Sequence, residues 1–181
     1  MKKLGIKAMV GAMAVVLALP VAGICGKDKN EADCKPGQKV PAAFEKLKAL
    51  KGTWAGKQKM GDKVQKMTLT YEVSAGGSAV VETIMKGTPH AMTTVYFTQG
   101  DRIGMTHYCM LGNHPTMMLK KSDDKSMTFE MEGNQGISSS QERHMHGMTL
   151  TFVDPKHIKS EWVCYDNGKK GEGVALSFTK K

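Results

Sequence analysis

From Gly52 to the C-terminus, apolar and polar residues alternate with a period of two. Met67, Leu69, Tyr71 and Val73 alternate with Lys66, Thr68, Thr70 and Glu72. Met148, Leu150 and Phe152 alternate with Thr149 and Thr151, and Val174, Leu176 and Phe178 with Ala175, Ser177 and Thr179. Successive side chains of a strand point to opposite faces, so this pattern predicts strands that each bury one face. Turn-forming residues interrupt the alternation at Ala75-Gly76-Gly77-Ser78, Gly87-Thr88-Pro89, Gln99-Gly100-Asp101, Leu111-Gly112-Asn113, Ser122-Asp123-Asp124, Asp154-Pro155 and Asp166-Asn167-Gly168. The segments between them are 53–60, 64–74, 79–86, 90–98, 102–109, 115–121, 126–132, 144–152, 157–165 and 172–180. Short connections make neighbours antiparallel, and only Gly133 to Arg143 is a long polar loop. About ten meandering strands with one polar face predict an all-β, antiparallel up-and-down barrel, since closure removes the exposed edges. A two-sheet sandwich is the alternative.

Helical spacing precedes the strands. Phe44, Leu47 and Leu50 fall near one helical face, Pro41 suits a first turn, and Gly52 is a stop signal, which predicts a short helix over 41–51. Earlier still, basic Lys2, Lys3 and Lys7 lead an apolar run that ends at Leu19-Pro20-Val21-Ala22-Gly23. This is the layout of a secretory leader, over 1–26, followed by a polar linker over 27–40 and a barrel domain over 41–181. The expected location is therefore exported, periplasmic or secreted. Lipidation of Cys25 is the alternative that would tether the chain to a membrane.

Composition narrows the partners. The chain has 181 residues, a formal charge of +9, 15 Met and 4 Cys. Its cations are scattered and not interleaved with stacking aromatics, so nucleic acid is not an expected partner. A monomer that meets a small molecule or a metal ion is the expectation. With Cys25 gone, Cys34, Cys109 and Cys164 form an odd set in an oxidising compartment, and their pairing stays open.

Gly52-Thr53-Trp54, placed after a short helix and at the first strand, resembles the Gly-x-Trp signature of lipocalin-like (calycin) barrels. That resemblance implies structural roles for Gly52 and Trp54, with the Trp plugging the closed end. The chain is also similar, from about Phe44 onward, to a family of uncharacterised exported bacterial proteins with a lipocalin-like barrel. The residues carrying this likeness are 50–56, 87–90, 106–109, 112–115, His144-Met145-His146 and Glu161-Trp162. A more distant resemblance is to haem-binding nitrobindin-type barrels. The Gly-rich stretch that follows their signature is absent here, which argues against haem.

Strand parity then suggests a site. Stepping back by twos from Met148 puts His146 and His144 on the inward face, Ile103 and Met105 do the same for His107 and Cys109, and Ile158 and Trp162 for Cys164. Up-and-down order gathers His90, His107, Cys109, His114, His144, His146 and Cys164 at one mouth, opposite Trp54. The expected ligand-binding set is His90, His107, Tyr108, Cys109, His114, His144, His146 and Trp162. Imidazole and thiolate suit Zn or Cu, so His107, Cys109, His144 and His146 are the expected metal ligands, with Met85, Met110, Met131 and Met145 nearby. The competing reading is a polar-lined mouth without metal, and Met67, Met105, Met127 and Met148 read as core. Neither a Gly-x-Ser-x-Gly motif nor a Gly-rich phosphate loop is present. A ligand- or metal-binding barrel therefore stands ahead of an envelope enzyme using a mouth His as general base, and of a structural protein with no ligand.

Overall fold

The computed structural model describes residues 41–60 and 63–181; the leader, linker, Cys25 and Cys34 lie outside the described residues. Among the described residues, one helix, α1 (Ala42–Ala49), precedes the strands β1 (Gly52–Met60), β2 (Lys63–Ser74), β3 (Ala79–Ile84), β4 (Met92–Gln99), β5 (Arg102–Tyr108) and β6 (Thr116–Ser122). They continue as β7 (Ser126–Met131), β8 (His144–Asp154), β9 (His157–Asp166), β10 (Lys169–Lys170) and β11 (Val174–Lys180). Each of β1 to β9 pairs antiparallel with the next, β9 pairs with β11, and β11 returns to β1. The result is a closed ten-strand barrel, with the two-residue β10 as an extra strand on β9. All ten barrel strands fall on segments that the alternation predicts; β10 is the addition.

Inward residues follow the register around the wall. Trp54 faces Leu69, Leu69 faces Ile84, Tyr96 faces Met105, Met105 faces Met117, Phe129 faces Met148, and Ile158 faces Phe178. Met67, Met105, Met127 and Met148 are all buried, as core residues of a barrel poor in aromatics. Unbranched thioether chains fill the gaps that few rings leave.

α1 closes one end. Its Phe44 and Leu47, with Leu50 just beyond, are buried over the barrel floor, and the Trp54 indole Nε1 donates 2.8 Å to the Leu50 carbonyl. Tyr71 meets Trp54 edge-on with ring centroids 6.4 Å apart, and the Lys180 Nζ lies 5.3 Å over the Trp54 ring. Gly56 leaves the space that the Phe178 ring occupies: a Cβ there would stand 2.6 Å from it. Helix, Trp54 and Phe178 thus form the floor, and the β3–β4, β5–β6 and β7–β8 connections lie at the opposite mouth, with the chain that follows β9.

Truncating Trp54 opens a cavity at the floor and orphans the Leu50 carbonyl. Trp54→Ala is expected to cost about 4 kcal/mol in denaturant-induced unfolding, against under 1 kcal/mol for an exposed change such as Lys57→Ala.

Candidate functional site

Ten strands enclose more interior than these side chains fill. A cavity of about 380 Å³ lies between the floor and the mouth. Its wall is mainly apolar, from Leu69, Ile84, Ile158, Trp162, Leu176 and Phe178.

One polar row crosses that wall. Cross-strand pairing sets Tyr71 beside Glu82, Glu82 beside Thr94, and Thr94 beside His107, all on the inward face of β2 to β5. The Tyr96 hydroxyl donates 2.7 Å to Glu82 Oε2, and the Tyr71 and Thr94 hydroxyls face the same carboxyl. Thr94 Oγ1 lies 3.0 Å from His107 Nδ1. With the proton on Nδ1, His107 donates to Thr94, Thr94 keeps its own proton for Glu82, and the His107 Nε2 lone pair is left over. The His107 ring packs against Trp162 with centroids 4.5 Å apart.

Burial controls the charges here. It pushes the Glu82 carboxyl up from its ordinary 4.5, opposed by the hydroxyls of Tyr96, Tyr71 and Thr94. The same desolvation lowers the His107 imidazole from 6.5 to about 4, so His107 is neutral at physiological pH. Tyr71 and Tyr96 are both raised well above 10, first by burial and next by the Glu82 charge.

Of the residues predicted from sequence, His90, His107, Cys109, Trp162 and Cys164 line the cavity. So do the rim residues Met85, Met110 and Met145, whereas Met131 is packed in the core. Among the described residues Cys109 and Cys164 form no disulfide, and burial raises the Cys109 thiol. Met85 holds a left-handed φ of 55° where β3 ends. Tyr108 and His114 are not in the wall: they stack on each other at the surface, centroids 5.9 Å apart.

His144 and His146 correct the parity argument. Met145 pairs with Cys164, but Gly147 pairs with Val163, so β8 carries one extra residue at His146. This β-bulge reverses the alternation, and Met145, not its neighbours, points into the cavity. His144 and His146 lie on the outer face with Tyr165, to which the His146 ring stacks at 4.0 Å. His144 is 2 % exposed, its Nδ1 2.6 Å from the Glu142 carbonyl and its Nε2 3.1 Å from His146 Nδ1. Asn113 fastens the covering loop by donating to Glu142 Oε1 and the Arg143 carbonyl. Burial, then the neighbouring His144, lowers the His146 imidazole.

The expected metal quartet is therefore split by the barrel wall, with His107 and Cys109 inside and His144 and His146 outside. Among the described residues, no three His, Cys, Asp or Glu side chains gather around one point. These four residues therefore do not form one Zn or Cu site together.

Glu82 is not among the residues expected from sequence, although Val80, Glu82 and Ile84 share a parity whose outer members are apolar. A carboxylate interleaved in a buried face was the signal. No protein-family profile matches the chain, and no curated protein matches it in sequence.

The lowered His107 value has a signed consequence. The unfolded chain binds the proton from about pH 6.5 downward and the folded one only near pH 4, so acidification through that window removes stability. Glu82, raised in the fold, acts in the opposite sense. His107→Gln removes the first contribution alone: between pH 7 and pH 5 the wild type should lose about 2 kcal/mol more than this variant in urea unfolding.

Proposed function

We propose that this chain is an exported barrel protein that binds a small, mainly apolar molecule inside its cavity. The observation that carries this reading is the 380 Å³ cavity, apolar over most of its wall, with Tyr71, Glu82 and His107 set in that wall and Thr94 linking the last two. Ligand sites commonly occupy ~300–1,000 Å³ and combine an apolar lining with a few convergent polar groups. The apolar wall supplies affinity through surface removed from water, and the polar row supplies orientation. Met110 and Leu111, exposed in the β5–β6 connection, also face the cavity and offer apolar contact at the mouth. The basic leader and its apolar run support export.

A neutral, polarity-sensitive dye such as N-phenyl-1-naphthylamine should bind the full chain with blue-shifted emission, saturating at one dye per chain. Leu176→Trp, which extends a ring into the cavity, should weaken that binding at least roughly tenfold while the far-UV circular dichroism is unchanged. Absent binding, or binding that Leu176→Trp leaves intact, would contradict the reading.

A further inference from the structure

We propose that the molecule held in the cavity is a small apolar amine whose protonated nitrogen is bound by the Glu82 carboxylate. This rests on the cavity-binding reading and names the chemical class of the ligand.

Glu82 stands in the cavity wall, and none of the ion pairs among the described residues includes it. Its surroundings are hydroxyls: Tyr96, at 2.7 Å, with Tyr71 and Thr94. Hydroxyl donors orient a carboxylate without neutralising it. Arg143 is a cation of the described lining, carried by the β7–β8 connection at the mouth, and no ion pair joins it to Glu82. A carboxylate drawn partly out of water without a countercharge carries a desolvation cost. The carboxylate therefore suits a guest that brings the positive charge with it.

The neighbours fit the same guest. Once Tyr96, Tyr71 and Thr94 direct their protons at Glu82, the row presents acceptors to the cavity: the carboxylate oxygens and the His107 Nε2 lone pair. An ammonium is all donors. Tyr71, Trp162 and Phe178 add aromatic faces to the wall, which attract a desolvated cation. A ligand with its own carboxylate meets the opposite situation, repelled by Glu82 and given no cationic partner within the row.

Three probes of matched shape test this by calorimetric titration of the full chain at pH 7.5: phenethylamine, 2-phenylethanol and phenylacetate. The amine should bind at least roughly tenfold tighter than the alcohol, as a charged hydrogen bond would provide, and the acid should not bind. In Glu82→Gln the amine should fall to the level of the alcohol, whose own affinity is unchanged. Equal affinity of the wild type for amine and alcohol would overturn the amine assignment while leaving the cavity reading standing, as would an amine affinity that Glu82→Gln does not alter. If none of the three binds, both readings are overturned. The wild-type comparison decides the matter even if Glu82→Gln fails to fold.

Discussion

Closure of the sheet through the β11–β1 pairing is the constraint on which the rest of this protein depends. It satisfies both edges of a long antiparallel meander, and it fixes how much interior there is to fill. Barrels of about eight strands are just wide enough for side chains to fill, and two more strands widen the interior. This chain has few aromatic rings and fills much of its core with methionine. Trp54, Phe178 and α1 occupy one end; the other keeps a cavity. The cavity is thus a consequence of strand number and residue supply, and its floor and mouth follow from which end the helix covers.

Within that cavity the interactions pull in opposite directions. Desolvation drives Glu82 and His107 toward their neutral forms, while the hydroxyls of Tyr96, Tyr71 and Thr94 favour the Glu82 carboxylate. A row of this kind, complete in hydrogen bonds yet without a countercharge, has unspent capacity for a cation. The apolar wall around it keeps the local dielectric low, which strengthens whatever charge pairing a guest provides. Placing the row on four consecutive strands gives it the rigidity of the sheet.

The fold was largely legible because period-two alternation and turn chemistry report the same boundaries. Parity also placed His107, Cys109, Trp162 and Cys164 on the inner face. It failed at His144 and His146 because a bulge inserts one residue without disturbing the written alternation: His144, His146 and Met148 look like one face, and the pairing shows two. Glu82 shows the converse. Its parity with Val80 and Ile84 marked it as inward, but a single acidic residue in a short strand carries little weight until Tyr96 and Thr94 are seen beside it in space. Those neighbours come from pairing across strands, which alternation along one strand does not contain.

The account's central claim, that the interior receives a guest at Glu82, is met most directly by a crystal structure of the full chain soaked with phenethylamine. The predicted result is one molecule inside the barrel, its nitrogen within about 3.2 Å of a Glu82 carboxylate oxygen and its ring against the apolar wall. A cavity holding only water, or an amine lodged on the outer face beside His146 and Tyr165, would contradict it.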